Sequence, residues 1–267
     1  MQGQSQQQAY DRGITIFSPD GRLYQVEYAR EAVKRGTASI GIRTDDGVVL
    51  VVDKRIRSPL MERTSVEKIH KADDHIGIAS AGHVADARQL IDFARRQAQV
   101  NHLRYGEPVG VETLTKFITD HIQENTQRGG TRPYGAALLI GGIDNGEPRL
   151  FAADPSGTPN EWKATVIGGG RSDIQAHLEE EWTDELSLTD GIELAVAALA
   201  AHDDEFEPAD LAVATITDAD GYRTVPTEAV AEAFDAAGLV AGGEEEEAAG
   251  SEEEEAADDA DDPDDEE

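Results

Sequence analysis

The pattern of hydrophobic and polar positions in the first third of the chain predicts a β-hairpin. Residues 38–43 alternate small and apolar side chains, and residues 48–52 form an unbroken apolar run. A run that is apolar at every position indicates a strand buried on both faces. The turn at residues 44–47 ends in glycine and joins the two strands as a hairpin.

A short amphipathic helix precedes this hairpin. Its apolar positions recur at helical spacing: Leu23, Val26, Ala29 and Val33. Gly36 ends the pattern, as glycine commonly does after a helix. Residues 18–21 have the sequence Ser-Pro-Asp-Gly, which is a turn and helix-start signal. Pro19 suits the first turn of a helix, and we expect Ser18 or Asp20 to cap it.

The remaining elements alternate between groups of strands and pairs of helices. Helical spacing predicts five more helices, at residues 84–101, 111–128, 172–182, 189–202 and 226–236. Short apolar runs bounded by turn residues predict six more strands, at residues 76–81, 136–140, 149–152, 164–167, 211–216 and 222–225. Grouped strands and paired helices do not fit a doubly wound parallel sheet. They predict an α+β fold, with two packed sheets and a helix layer on each outer face.

The charge of the chain excludes some classes of partner. Its 267 residues include 55 Asp and Glu against 23 Lys and Arg, a formal net charge of −32. This excess argues against binding to nucleic acid, whose phosphates need Lys and Arg, and against an anionic membrane surface. No apolar run approaches the ~20 residues of a membrane helix, and the start of the chain has no signal-peptide pattern. We therefore expect a cytoplasmic protein.

The acidic, Lys-poor composition indicates the salt concentration in which the protein works. Only 6 of the 23 basic residues are Lys, and acidic surfaces poor in Lys suit molar salt, where charges are screened within about 3 Å. A halophilic source is our hypothesis, and a mildly acidic protein with an acidic tail is the alternative. Residues 244–267 hold 16 acidic residues and no basic one. Such a tail cannot bury enough apolar surface to order itself, and it serves either to solvate the protein or to dock a partner.

Common catalytic and metal-binding motifs are not found in the sequence. It has no Cys, and its seven His lack metal-ligand spacing. Neither a Ser-His-Asp enzyme nor a metalloenzyme has support, so we expect no metal and no cofactor. Residues 168–170 are three glycines before a helix and could cradle a phosphate. They lack the Lys-Ser/Thr of a P-loop, which favours a tight strand-to-helix crossing.

Several segments closely resemble proteasome alpha subunits, in particular those of the archaeal 20S core particle. The amino-terminal signature of that family is similar to Tyr10-Asp11-Arg12, to residues 17–29 (FSPDGRLYQVEYA), and to Gly36-Thr37 entering a strand. Further similar segments are residues 67–69, 82–88, 132–135 and 154–157. The resemblance covers about residues 10–238 and leaves out the Gln-rich start and the acidic tail.

This resemblance implies a fold and a division of the chain. The fold would be a four-layer αββα sandwich of the N-terminal nucleophile hydrolase type, with an extra N-terminal helix across the cleft. Residues 1–36 would form a gate segment and this helix. Residues 37–238 would form the sandwich domain, and residues 239–267 the disordered acidic tail.

The resemblance also implies a non-catalytic role in a proteolytic assembly. Alpha subunits form seven-membered rings outside two rings of catalytic beta subunits, and their amino termini gate the axial pore. The implied partners are other alpha subunits, beta subunits, an activating AAA ATPase, and unfolded protein substrates in transit. By resemblance, Tyr10, Asp11, Pro19 and Tyr28 form the cluster that holds the gate open. Arg12 would tie neighbouring chains by ion pairing.

Lys68 and Gly82 are the docking residues that the resemblance implies. In the family, a lysine in this Glu-Lys-Ile context lies between neighbouring alpha subunits and receives the C-terminal carboxylate of the ATPase. A lysine facing a terminal carboxylate is a direct charge match. Gly82 would line the same pocket, where a missing side chain allows close backbone approach. Without the family context, Lys68 would be interpreted as a solvated surface charge.

A catalytic alternative rests on Thr37. Beta subunits expose a Thr at the start of the first strand, after cleavage behind a Gly, and Thr37 follows Gly36. Asp53 and Lys68 fall near the places where such enzymes keep an acid and a lysine. The Thr hydroxyl would act as nucleophile and its own free amine as base. In the intact chain that nitrogen is a peptide amide, and removing residues 1–36 would remove the whole signature, so we favour the non-catalytic interpretation.

Overall fold

Two antiparallel sheets of five strands each form the centre of the fold, which we describe from a computed structural model. The structure describes residues 17–56, 58, 60–203 and 206–239. The strands of the first sheet are β1 (Ser39–Arg43), β2 (Gly47–Asp53), β8 (Ala164–Ile167), β9 (Leu211–Thr217) and β10 (Gly221–Val225). Those of the second sheet are β3 (Ile69–Asp73), β4 (Ile76–Gly82), β5 (Ala136–Asp144), β6 (Glu147–Ala153) and β7 (Pro159–Glu161). The spatial orders are β10-β9-β2-β1-β8 and β3-β4-β5-β6-β7.

Helices cover both outer faces of the sheet pair. The helices of the described residues are α1 (Tyr24–Lys34), α2 (Val84–Tyr105), α3 (Val111–Gln127), α4 (Arg171–Glu181), α5 (Leu188–Ala200) and α6 (Thr227–Ala236). The pair α2 and α3 shares a buried apolar cluster with the second sheet, and α4, α5 and α6 share one with the first. A third cluster fills the space between the sheets. The predicted αββα order of layers is confirmed.

The hairpin of β1 and β2 forms the middle of the first sheet. Ser39 pairs with Val52 and Arg43 with Val48, in antiparallel register. All seven residues of β2 are buried, which confirms the prediction of a strand covered on both faces. One face of β2 contacts the inter-sheet cluster and the other contacts the helix layer. The buried hairpin thereby fixes the positions of Thr37, which precedes β1, and Asp53, which ends β2.

The sequence patterns do not predict β3 and β7, which lie at the two edges of the second sheet. β3 has the sequence IHKAD with one buried residue, and all three residues of β7 are exposed. An edge strand has a neighbour on one side only and commonly carries charged residues. No apolar run or alternation therefore marks either strand in the sequence.

Helix α1 begins differently from the prediction. Leu23 occupies the N-cap position without a side-chain cap, so the expectation that Ser18 or Asp20 caps the helix is wrong. Ser18 instead closes the preceding turn: its Oγ accepts from the Arg22 amide at 3.1 Å, and its carbonyl accepts from the Gly21 amide at 2.8 Å. The turn is thus a separate unit ahead of α1.

The three glycines at 168–170 form a tight crossing from β8 to α4, as predicted. A Cβ atom at Gly168, whose φ is +100°, would lie 2.5 Å from the Thr37 carbonyl oxygen. The Gly169 amide donates to the Gly36 carbonyl at 2.7 Å. Only glycine lets these two backbone segments approach so closely. The crossing therefore fixes the backbone on either side of the Gly36–Thr37 peptide bond.

Candidate functional site

The Lys68 side chain ends among oxygen atoms at one end of the first sheet. Its Nζ donates to Thr37 Oγ1 at 2.7 Å and to the Asp53 carbonyl at 2.9 Å. It also donates to the Thr37 carbonyl at 3.1 Å. Thr37 precedes β1 and Asp53 ends β2, whereas Lys68 immediately precedes β3 of the other sheet. Lys68 is half-buried and joins the two sheets, so its interpretation as a solvated surface charge is wrong.

Two cationic side chains, Lys68 and Arg55, bind different oxygen atoms of Asp53. Burial lowers the pKa of Lys68 to about 8, although the negative charge of Asp53 acts in the opposite direction. The buried Asp53 carboxylate accepts from Arg55 Nε at 2.9 Å and from its Nη2 at 2.8 Å. These hydrogen bonds to Asp53 raise the pKa of Arg55. The Asp53 carboxylate is thus bound by Arg55, which also pairs with Asp203 at 2.5 Å, while Lys68 binds the main-chain oxygen of Asp53.

Thr37 lacks the free amine that serves as the base of a threonine nucleophile. The hydroxyl donates to the Asp53 carbonyl and accepts from Lys68. The Thr37 nitrogen is an amide bonded to Gly36, whose own amide donates to the Val33 carbonyl at 3.0 Å. A threonine nucleophile of this kind needs a free amine as its base. The geometry therefore resembles a threonine protease site without the group that makes the hydroxyl reactive.

Gly82 lies against Gly36 and beneath α1. Its φ is +102°, and a Cβ atom there would lie 2.4 Å from the Gly135 carbonyl oxygen and 3.2 Å from Val33 Cα. A Cβ atom at Gly36 would in turn lie 2.6 Å from the Gly82 nitrogen. The Ser80 amide donates to the Lys68 carbonyl at 3.0 Å, two residues before Gly82. The structure thus brings the two predicted docking residues to adjacent strands at one end of the fold.

The predicted gate residues fall partly outside the described residues. Tyr10, Asp11 and Arg12 all do, so their contacts with the rest of the cluster stay a prediction. Pro19 is exposed in the turn that Ser18 closes. Tyr28 is on α1 with about half of its surface exposed, whereas the other side of that helix is buried.

Sequence reasoning missed two ion pairs that tie the site to the fold. Arg30 of α1 binds Asp154 at 2.8 Å, and Asp86 of α2 binds Arg132 at 2.5 Å. The partners are separated by 124 and 46 residues, respectively. Asp86, Arg132 and Asp154 belong to segments that the sequence marks as family-like, and Arg30 directly follows one. Only the fold shows which opposite charges meet.

The described part of the chain offers no sign of a metal site or a membrane span. No group of three or more His, Asp or Glu within it could hold a metal ion. None of its helices is long and apolar enough to cross a membrane.

Comparison with known protein families decides the assignment. The family described as "Proteasome subunit" matches residues 33–216, and the N-terminal signature of the A-type proteasome subunits matches residues 10–32. The chain belongs to the proteasome alpha-subunit family. Its fold is therefore of the N-terminal nucleophile hydrolase type, as the resemblance implied. Alpha subunits of the 20S proteasome are non-catalytic, in agreement with a Thr37 whose nitrogen is a peptide amide.

Curated relatives from several species agree with this assignment. "Proteasome subunit alpha" of Natronomonas pharaonis is 73% identical over 233 residues, which cover 86% of this chain and 91% of the relative. "Proteasome subunit alpha 1" of Haloarcula marismortui is 77% identical over 217 residues, 81% of this chain and 84% of the relative. "Proteasome subunit alpha 1" of Haloferax volcanii is 74% identical over 218 residues, 81% and 86% of the two chains. These relatives come from halophilic archaea, in agreement with the hypothesis drawn from the acidic, Lys-poor composition.

Proposed function

We propose that this alpha subunit forms the outer seven-membered ring of a 20S core particle, gates substrate entry and docks an activating AAA ATPase. It would assemble with other alpha subunits and with catalytic beta subunits, and would support ATP-dependent degradation of unfolded proteins in the cytoplasm. The observation that carries this proposal is the position of α1. The helix packs on β4 and β5, and it ends shortly before Thr37, so residues 17–36 are part of the fold.

A gate needs a fixed support for a segment that changes position. The turn closed by Ser18 and the helix α1 supply that support, because both are held by hydrogen bonds or by packing. We propose that Tyr10, Asp11, Pro19 and Tyr28 form the cluster that holds the gate open. Tyrosine hydroxyls can donate to a carboxylate, and proline fixes a turn without a backbone donor.

Lys68 and Gly82 support docking of a C-terminal carboxylate. The Lys68 ammonium is half-buried among neutral oxygen atoms, and the carboxylate of Asp53 is already bound by Arg55. An incoming carboxylate would give the ammonium a charged partner in a partly desolvated place, where charge-assisted hydrogen bonds are strong. The backbone at Gly82 is held by close packing and would present its polar groups in a fixed geometry.

Exposed apolar side chains on α2 and α3 favour assembly with further subunits. Val84, Val100, Leu103 and Tyr105 of α2 expose between 43% and 84% of their surface. Phe117 of α3 is 37% exposed. Apolar residues gathered on one pair of helices commonly mark a protein–protein interface. We propose that this face contacts another subunit of the particle.

The chain division proposed for this function has three parts. Residues 1–36 are the gate segment with α1, residues 37–238 the sandwich, and residues 239–267 the acidic tail. In a subunit of this design the tail lies outside the proteolytic chamber, where it solvates the particle or docks a partner.

The experiment that tests the gate is deletion of residues 2–12 in particles reassembled with beta subunits. We expect degradation of an unfolded protein without ATPase to rise severalfold, because the deletion removes the segment that is proposed to block the pore. Seven-fold rings in negative-stain images would confirm that the variant assembles. An unchanged rate of degradation in assembled particles would contradict the gating role.

A further inference from the structure

Helix α1 is held to the body of the protein at its end and along one side. Val26, Ala29 and Val33 are buried against the sheets, and Gly36 follows in close contact with the backbone of Gly82. The close contact of these two glycines fixes the carboxyl end of α1, because no side chain separates the two backbones. The opposite side of α1 is exposed.

One ion pair crosses from α1 to the loop that follows β6. Arg30 Nε and Nη2 donate to Asp154 Oδ2 at 2.9 and 2.8 Å, and Nη1 donates to Glu27 Oε1 at 3.1 Å. Among the ion pairs between described residues, this is the one that joins α1 to another element, since the pair of Lys34 and Glu31 lies within the helix. The guanidinium is thus oriented by its own helix and reaches across to a loop.

Asp154 can hold Arg30 firmly because its loop is itself fixed. Its second oxygen, Oδ1, accepts from the Ser156 amide at 3.1 Å and from the Ser156 hydroxyl at 2.5 Å. Gly157 seats the loop on α3: its φ is +80°, and a Cβ atom there would lie 2.7 Å from the Thr119 carbonyl oxygen. One carboxylate oxygen of Asp154 thus binds its own loop, and the other binds Arg30. The ion pair therefore connects α1 through a rigid loop to α3.

The space beside this ion pair is hollow. A cleft of about 810 Å³ is lined by Arg30, Val33 and Lys34 on one side and by the loop from Asp154 to Thr158 on the other. Side chains around a cleft lack the close contacts of a packed core. On the cleft side of α1, the ion pair is therefore the contact that joins the helix to the loop, in addition to the packing of its buried side.

We propose that Arg30 is a positioning residue of the gate, which acts by locking α1 to Asp154 across this cleft. The proposal rests on the gating role proposed above, because α1 carries the gate segment at its amino end. With the lock intact, α1 and the turn before it keep the gate segment in its closed position. Without it, α1 can rock about the contact of Gly36 with Gly82, and the gate leaks.

The test compares two cationic residues on the same helix. Arg30→Gln removes the lock, whereas Lys34→Gln removes a pair that lies within α1 and serves as the matched control. In particles reassembled with beta subunits, without ATPase, we expect Arg30→Gln to raise degradation of an unfolded protein about two- to fivefold, which is the scale of a partly exposed ion pair. Lys34→Gln should leave the rate unchanged. Equal effects of both variants, or none from Arg30→Gln, would overturn the proposal.

Two further variants test the ion pair from the side of Asp154 and with a conservative change at Arg30. Asp154→Asn removes the charge on the other side of the lock while retaining an oxygen for Ser156, and it should reproduce the leak. If Arg30→Gln does not assemble, Arg30→Lys keeps one charge-assisted contact and should leak less than Asp154→Asn. A leak from neither Asp154→Asn nor Arg30→Lys in assembled particles would overturn the proposal.

Combining Arg30→Gln with the deletion of residues 2–12 tests whether the Arg30–Asp154 ion pair acts through the gate segment. In particles that already lack the gate, Arg30→Gln should cause no further increase, because a positioning residue acts through the segment it positions. A further increase there would show that Arg30 acts by another route and would overturn the lock. An unchanged rate in the deletion alone contradicts the gating role, whereas a leaky deletion with a silent Arg30→Gln contradicts only the lock.

Discussion

The Lys68 ammonium lies 2.7 Å from the Thr37 hydroxyl oxygen, in a chain where the Thr37 nitrogen is a peptide amide. The pair has the hydroxyl and the cation of a threonine protease but not the free amine that would take the proton. Lys68 also binds the carbonyls of Thr37 and Asp53, which belong to the ends of the β1–β2 hairpin. These contacts hold the two sheets together, and without a free amine at Thr37 the hydroxyl lacks the base of a threonine protease.

Replacement of the Thr37 hydroxyl should leave proteolysis intact. In particles reassembled with beta subunits, we expect Thr37→Ala to cleave small peptides at the rate of the unaltered particle, because the Thr37 nitrogen is a peptide amide and cannot act as the base. The lost hydrogen bond with Lys68 should lower the free energy of unfolding by about 0.5–1.5 kcal/mol. Mass spectrometry of the purified subunit should show a chain that begins ahead of Thr37. A mature chain that begins at Thr37, or loss of peptide cleavage in the variant, would contradict the non-catalytic assignment.

Docking of an ATPase tail at Lys68 should depend on pH. Burial lowers the pKa of Lys68 to about 8, so the ammonium that a carboxylate needs is present below that pH and is lost above it. We expect a labelled peptide with the ATPase C-terminal sequence to bind assembled particles up to about tenfold more weakly at pH 9 than at pH 7, because the charged fraction of Lys68 falls from about nine tenths to about one tenth over this range. Fluorescence anisotropy would measure this binding.

Two variants serve as controls for that experiment. Lys68→Arg keeps its charge across this range, since the guanidinium pKa exceeds 12, so its binding should not vary with pH. Lys68→Ala should abolish both binding and stimulation by the ATPase, while the beta subunits continue to cleave small peptides. Equal pH dependence of the unaltered chain and of Lys68→Arg would show that another group controls docking.

The arrangement of the layers was predictable because it depends on patterns that are local in the sequence. Buried strands such as β2 are apolar throughout, and long helices such as α2 show apolar residues at helical spacing. The edge strands β3 and β7 were not predictable, since they bury one residue or none. The cap of α1 was predicted wrongly, because Ser18 has a competing use in its own turn.

The residues of the site could be predicted from the sequence, but the contacts between them could not. Thr37, Asp53, Lys68 and Gly82 were identified from a family resemblance, and the structure places them at one end of the fold. That Lys68 binds the carbonyl of Asp53, and Arg55 its carboxylate, depends on side-chain geometry that no spacing reveals. The lock between Arg30 and Asp154 spans 124 residues and was invisible for the same reason.

A methyl group at Gly82 should destabilise the fold. It would lie 2.4 Å from the Gly135 carbonyl oxygen, and the backbone has a φ of +102° that other residues rarely adopt. We expect Gly82→Ala to lower the free energy of unfolding by at least about 1–3 kcal/mol from the backbone conformation alone. Gly129→Ala is the matched control, because nothing lies within 4 Å of a Cβ atom there. Chemical denaturation that gives the two variants the same stability would refute this close packing.

The buried carboxylate of Asp86 should stabilise the fold in a pH-dependent way. Asp86 is 5% exposed, and its oxygens accept from Arg132 at 2.5 and 2.7 Å and from the Gly135 amide at 2.8 Å. Burial alone would raise the pKa of Asp86, but the hydrogen bonds from Arg132 and Gly135 outweigh it and hold the pKa below its ordinary value of 3.8. The ionised form is therefore favoured in the folded chain more than in the unfolded chain.

Because the pKa of Asp86 is lower in the folded chain than in the unfolded chain, its stabilisation is complete above the unfolded-state pKa. The stabilisation disappears as the pH falls through the pKa of the folded chain. We expect Asp86→Asn to lower the free energy of unfolding at neutral pH by about 1–3 kcal/mol, because Arg132 loses its charged partner. The difference from the unaltered chain should shrink as the pH falls below 3.8. Glu124→Gln, which breaks an exposed pair with Arg128, should cost less than about 0.5 kcal/mol at any pH. A difference between Asp86→Asn and the unaltered chain that stays constant from pH 7 to pH 2 would show that the carboxylate acts through its shape rather than through its charge.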